Sequence, residues 1–154
     1  MTDQFTFSLL SSDQEALVFE WLHKPHVNEW FHGEGLQNAI NGKPFALLMT
    51  FNVQDSDELL AKWIKPGQKV ITLDVLIGEE RYLGKGLSTP MIQDFISTMH
   101  ADKDVIFIDP EIANQKAIHV YEKVGFEKVD EFIASWHPVP HILMRMEKNN
   151  ADIT

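Results

Sequence analysis

The segment Arg81-Tyr82-Leu83-Gly84-Lys85-Gly86 sets two cations beside two glycines that are one residue apart. An apolar run, Val70 to Ile77, leads into it, and a helix-like run, Leu87 to Met99, leads out. Strand, glycine-bearing turn and helix in that order aim backbone N–H groups at an anion. Gly84 and Gly86 admit positive φ and let a ligand come close to the main chain. Arg81 and Lys85 add positive charge, so the chemistry fits a phosphate or pyrophosphate. The pattern R-x-x-G-x-G is neither G-x-x-x-x-G-K-[ST] nor a G-x-G-x-x-G that opens a βαβ unit. Taken alone, it also describes an ordinary strand-to-helix turn.

Two carboxylates stand where chemistry could use them. Asp74 interrupts an apolar strand between Leu73 and Val75, so it must find a partner or face a cleft. Asp109 precedes Pro110, which holds it extended at the C-terminal end of the apolar run Val105 to Ile108. Each also has a plainer reading, Asp74 as a strand-end acid bonded to backbone and Asp109 as the opener of an Asp-Pro turn. Asp55, Asp57 and Glu58 read as a solvated loop. Trp30 and Trp63 could line a cleft or fill a core. Tyr121 shares a helix face with Ala117, Ile118 and Val124, the pattern of a core aromatic. The chain has no cysteine, which excludes disulfides, thiolate metal sites and a cysteine nucleophile. In His23-Lys24-Pro25-His26 the proline breaks the helical spacing a metal pair needs, and no H-E-x-x-H occurs, so no metal site is expected.

The elements that must position these residues follow from pattern. Phe5 to Leu9 alternates and predicts a strand. Ser12-Asp13-Gln14-Glu15 fits a capping box, so a helix is expected to about Lys24, with Leu17, Val18, Trp21 and Leu22 buried and Pro25 as its stop. A short helical piece follows over Val27 to Phe31. Asn41-Gly42 signals a tight turn before a strand over Phe45 to Val53. Leu87, Met91, Phe95 and Met99, with Ile92 and Ile96 beside them, predict the core stripe of a helix in which Pro90 is tolerable only in the first turn. Asn114 can cap the next helix and Gly125 can end it in a left-handed conformation. Phe126 to Ile133 and His141 to Met146 complete the strands. The expectation is an α/β mixed sheet flanked by helices, in a single domain over 1–148, with a frayed tail over 149–154.

A second motif lies downstream of the glycine turn, Asn114-Gln115-Lys116-Ala117 followed by Tyr121-Glu122-Lys123-Val124-Gly125-Phe126. R/Q-x-x-G-x-G/A followed by N-x-x-A-x-x-x-Y-x-x-x-G-F resembles the GCN5-related N-acetyltransferase (GNAT) superfamily, and both halves are complete here. Glu20-Trp21-Leu22, His26-Val27-Asn28-Glu29-Trp30 and Leu83 to Leu87 look most like bacterial aminoglycoside 6'-N-acetyltransferases. The resemblance implies a mostly antiparallel sheet with two splayed central strands and acetyl-CoA as cosubstrate. Backbone at Val75, Leu76 and Ile77, together with Arg81, Tyr82, Leu83, Gly84, Lys85, Gly86, Leu87 and Ser88, would hold pantetheine and pyrophosphate. Asn114, Ala117 and Tyr121 would meet the pantetheine arm. The Tyr121 phenol, with an unperturbed pKa near 10, would protonate the departing thiolate. Asp74 would contact the acceptor amine and take its proton. Asp109, with Trp30 and Asp57, would help to bind the acceptor. The chain departs from the aminoglycoside pattern at Phe31 to Ile40, where the family carries a second helix and a full strand. That predicts a short or absent strand and an open edge on Phe45 to Val53, which would favour pairing between subunits.

Composition bounds the rest. The 154 residues suit one domain, and 44% are apolar, as in a globular protein. No run reaches membrane-span length, and Met1-Thr2-Asp3-Gln4 opens no signal peptide, so a cytoplasmic protein is expected. With 23 acids against 13 bases the net charge is -10. Nucleic acid is thereby disfavoured, and the acidity suits a cationic partner, though plain solubility accounts for it as well. The resemblance implies a small cationic amine as that partner, with the chain a monomer or homodimer. The readings left are an N-acetyltransferase acting on such an amine, a siderophore-type lysine or hydroxylysine acyltransferase, acetylation of protein N-termini, and a non-catalytic acyl-CoA-binding module.

Overall fold

A computed structural model describes residues 5–28, 36–40, 43–53, 57–135 and 137–148. The chain forms two compact units, Met1–Thr50 with Asp74–Phe95, and Phe51–Leu73 with Ile96–Thr154. Strands β3 (Lys43–Asn52) and β4 (Val70–Ile77) and helix α4 (Ser88–Met99) run through both.

The first unit also holds β1 (Phe5–Ser8), a 3₁₀ turn (Ser12–Gln14), α1 (Glu15–Leu22), α2 (Pro25–Asn28) and β2 (Leu36–Ile40). Its strand order is β1-β2-β3-β4, with β2 antiparallel to both β1 and β3. Val18, Trp21, Val27, Leu47, Met49 and Leu76 form its core, and Trp21 is fully buried. Each such side chain contributes about 1.5–3 kcal/mol through burial. Phe7 of β1 packs on Phe95 of α4, ring centres 5.3 Å apart.

The second unit adds α3 (Glu58–Ala61), β5 (Val105–Ile108), α5 (Gln115–Val124), β6 (Glu127–Ile133) and β7 (Pro140–Glu147). Its strand order is β4-β5-β7-β6. β4 and β5 are parallel over Val70↔Val105 to Thr72↔Phe107, while β7 is antiparallel to both of its neighbours. All four residues of β5 are buried, which explains its unbroken apolar run. Leu60, Val105, Phe107 and Leu143 make this unit's core. Among the described residues no helix is long and apolar enough to cross a membrane.

The mixed, mostly antiparallel sheet flanked by helices agrees with expectation, but several local readings are corrected. β2 is present as a five-residue strand paired with β3 from Leu36↔Leu48 to Ile40↔Lys43, so the predicted open edge on β3 is covered. The signal was weak because the strand is short and carries Gln37 and Asn38. The tight turn at 41–42 lies outside the described residues, as does the 149–154 tail. The capping frame is one residue earlier than read, with the Ser11 N–H donating to Gln14 Oε1 at 3.1 Å. α2 starts on Pro25 itself, which suits a first helical position. Met99 is 41% exposed and leaves the α4 stripe. Steps of four residues outrun the 3.6-residue period and rotate by about 40° each, away from buried Met91 and Phe95.

Candidate active site

The predicted site residues fall in both units. In the first, β4 ends at Ile77 and Glu79 opens a 3₁₀ turn over Glu80–Tyr82. Gly84 and Gly86 follow with φ of 70° and 71°. A Cβ at either would meet nothing within 4 Å. The glycines therefore answer to backbone conformation and leave open space on that side, as a cradle for an anion requires. α4 begins at Ser88, and its first turn closes from Met91 N–H to Leu87 C=O at 3.0 Å. Helix geometry leaves the Ser88 and Thr89 N–H groups without partners inside the helix, and Pro90 sits in that first turn with no N–H to lose. Arg81 lies over the Tyr82 ring at 5.1 Å, and that ring packs 4.8 Å from Phe45. Lys85 is exposed.

The turn hangs from contacts that sequence reading missed. The N–H groups of Gly78 and Glu79 both donate to Phe45 C=O, at 2.8 and 3.2 Å. Trp21 Nε1 donates to Glu79 at 2.8 Å, and Lys24 Nζ reaches the Gly78 carbonyl at 3.4 Å and Glu79 at 3.7 Å. His26 Nε2 lies 3.1 Å from the Ile77 carbonyl. A Cβ on Gly78 would fall 1.9 Å from Trp21 Cδ2, so only glycine lets the indole pass. The readable signals were a glycine closing an apolar strand and a tryptophan on a buried helical stripe. Among the described residues no three His, Cys, Asp or Glu gather into a metal-binding group.

Asp74 is half-buried in β4. Desolvation pushes its carboxyl pKa up to about 6. The strand alternates between half-buried and buried residues until Asp74 and Val75, both half-buried, after which buried Leu76 resumes the alternation in the opposite phase. Such a slip is what an extra residue in a strand produces. The Leu76 side chain belongs to the core, so only its backbone is offered to a ligand.

In the second unit, half-buried Asp109 leaves the end of β5. The Asn114 side chain accepts from Ala117 N–H at 3.3 Å and caps α5. Ile118, Tyr121 and Val124 form the buried face of α5, and Tyr121 meets Phe126 edge-on at 6.2 Å. Gly125 ends the helix at φ 127°, with its N–H bonded to the Tyr121 and Glu122 carbonyls. Asp57, exposed, caps α3 by accepting from Leu60 N–H at 3.4 Å, a helix that sequence reading passed over as an acidic loop. Trp30 lies outside the described residues. The structure thus gathers Asp74 and the 75–88 segment in the first unit, and Asp109, Asn114, Ala117 and Tyr121 in the second. A groove of about 540 Å³ on α5, β6 and β7, floored by Ile118, Phe126, Ile142 and Met144, includes none of them.

Residues 36–134, from the start of β2 to just past β6, match the family model described as an acetyltransferase (GNAT) domain. That match makes the protein an N-acetyltransferase. The chain belongs to the GNAT family. It is 38% identical to the aminoglycoside N(6')acetyltransferase of Legionella pneumophila subsp. pneumophila str. Philadelphia 1, whose crystal structure superposes with a TM-score of 0.82 over 96% of this chain and 94% of that one. It is 28% identical to the aminoglycoside N(6')-acetyltransferase type 1 of Klebsiella pneumoniae, over 82% of this chain and 75% of that protein. AAC(6')-Ib in complex with paromomycin and acetyl-CoA shares the fold at 22% identity and a TM-score of 0.82, covering 99% of this chain and 98% of that one.

Proposed function

We propose that the protein moves the acetyl group of acetyl-CoA to a primary amine of a small polycationic acceptor of the aminoglycoside class, directly, within a ternary complex. The observation that carries this is Asp74, a half-buried carboxylate with its pKa near 6 on the strand that leads into the glycine turn. At neutral pH an amine acceptor is mostly protonated and cannot attack. Ionised Asp74 holds the cation and takes one N–H proton, directly or through water. The freed nitrogen attacks the thioester carbonyl, the C–N bond forms, and the C–S bond breaks. A backbone N–H near Val75 or Leu76, where the strand slips phase, steadies the oxyanion. Tyr121 gives its phenolic proton to the departing thiolate, and the second proton that the nitrogen sheds as the amide forms restores the phenol. With no cysteine in the chain, no acyl-cysteine intermediate is available.

Ser88, Thr89 and the Gly84–Gly86 backbone suit the pyrophosphate, with Arg81 and Lys85 supplying charge. Asn114 and Ala117 would meet the pantetheine arm, and Asp109 would hold a second amine of the acceptor. The net charge of -10 favours such a cation over an acidic substrate. The kinship with aminoglycoside 6'-acetyltransferases supports the acceptor class, and the chain's own residues support the chemistry.

The test is CoA release from acetyl-CoA across aminoglycosides, polyamines, lysine derivatives and peptides. Release is expected with aminoglycosides bearing a 6'-amine and not with those bearing a 6'-hydroxyl. Release only with lysine derivatives would move the protein to the siderophore-type reading.

A further inference from the structure

Pro110, Glu111 and Ile112 are stitched to the start of β7. Ile142 N–H donates to Pro110 C=O at 2.9 Å, Ile112 N–H donates to Pro140 C=O at 3.0 Å, and Glu111 and His141 form an antiparallel bridge. One side-chain contact reaches from the same three residues to the β6–β7 connection. His137 Nε2 donates to Glu111 Oε1 at 3.0 Å. The Glu111 side chain is only 14% exposed, so its carboxylate is partly desolvated and depends on that partner. His137 is held in turn. Val139 N–H closes a tight turn onto the His137 carbonyl at 2.8 Å, and the His137 ring stands edge-on to His141, 6.3 Å away. His141 is buried, stacks on Phe132 at 5.3 Å and bonds the Val139 carbonyl through Nδ1 at 2.7 Å.

Asp109 is the residue immediately before this stitched segment. Proline at 110 has no N–H, so the direction in which the chain leaves Asp109 depends on the bonds made by the next three residues. We infer that Glu111 and His137 are positioning residues that aim the Asp109 carboxylate at the acceptor and so set the preference for acceptors with a second amine. The inference rests on the reading of Asp109 as an acceptor-binding carboxylate. Neither Glu111 nor His137 belongs to the sequence motifs, and the contact spans 26 residues.

The experiment is steady-state kinetics of the full chain with kanamycin and acetyl-CoA, on His137→Ala, His137→Gln, Asp109→Asn and the double variant His137→Ala/Asp109→Asn. His137→Ala should raise the kanamycin KM roughly tenfold, because a small misplacement of a binding group is enough for that, and leave the acetyl-CoA KM unchanged. His137→Gln, which keeps a donor, should recover most of the loss. In the Asp109→Asn background His137→Ala should add nothing, since its effect passes through Asp109. A purely structural role would instead disturb both KM values and add fully to Asp109→Asn. If His137→Ala folds poorly, Glu111→Ala, which removes the acceptor of the His137 Nε2–H bond, reads the same KM split. A raised KM in Asp109→Asn with no change in the His137 and Glu111 variants overturns the inference alone. An unchanged kanamycin KM in Asp109→Asn, or no turnover of kanamycin by the native chain, overturns the reading of Asp109 and the inference with it.

Discussion

The glycine turn after β4 and the helix α5 both serve the cofactor in the proposed reaction, yet they are held in opposite ways. α5 carries its own instructions within twelve residues. Asn114 caps its first turn, Gly125 ends it at positive φ, and the apolar face between them packs Tyr121. The turn has glycines of its own but is hung from afar. Trp21, Lys24 and His26, more than fifty residues earlier in the chain, bond to Ile77, Gly78 and Glu79. A locally capped element tolerates change elsewhere. A remotely anchored one is exposed to every residue in its anchor.

The sharpest way to break that contrast is Gly78→Ala. A methyl 1.9 Å from Trp21 Cδ2 must displace a fully buried indole, and Glu79 moves with it. Overpacking of this kind costs about 3 kcal/mol or more. Thermal and urea unfolding should show the loss, and acetyl-CoA affinity should fall in whatever folded protein remains. An unchanged melting temperature would mean that the indole does not pin the turn.

Next in size is Tyr121→Phe. The buried ring is kept, so the melting temperature should hold, while turnover falls by roughly 10²-fold. Full turnover would leave Tyr121 as a packing residue only. Gly86→Val follows. Its φ of 71° strains any β-branched residue, and the new side chain enters the space in front of the turn. Acetyl-CoA binding should weaken about tenfold, near 1.4 kcal/mol, by calorimetry. Equal affinity in a folded variant would show that the pyrophosphate lies elsewhere.

What could be read from sequence divides along the same line. Gly84, Gly86 and Gly125 each declare a positive φ that few other residues adopt, Asn114 declares a helix start through its capping side chain, and each stands where its motif predicts. The four-residue α3 was hidden because Asp57 and Glu58 look like a solvated loop until the Leu60 N–H is seen to be capped. β2 was nearly missed because so short and polar a strand is defined by its neighbours β1 and β3 more than by its residues. The Gly78 anchorage and the Glu111–His137 pair depend on which distant segments meet, and neither spacing nor composition encodes that. For Asp74, position within an apolar strand signalled an unusual carboxylate, but the extent of its desolvation needed the fold.

That desolvation also affects stability. With a folded pKa near 6 against 3.8 when exposed, the native state binds the proton more tightly than the unfolded state does. Stability is therefore lost as pH rises from about 4 to about 6, by about 2–3 kcal/mol at most. Asp74→Asn should melt above the native protein at pH 8, and the difference should close near pH 4.

The most direct measurement is the acceptor-saturated turnover of Asp74→Asn beside the native protein from pH 5 to 8, with acetyl-CoA affinity measured in parallel. Native turnover should decline below about pH 6 as the Asp74 carboxylate is protonated. The variant should lose most of its turnover at every pH, lack that inflection, and bind acetyl-CoA as before. Native-like turnover in Asp74→Asn, with the same inflection near pH 6, would contradict the account and assign the amine proton to another base.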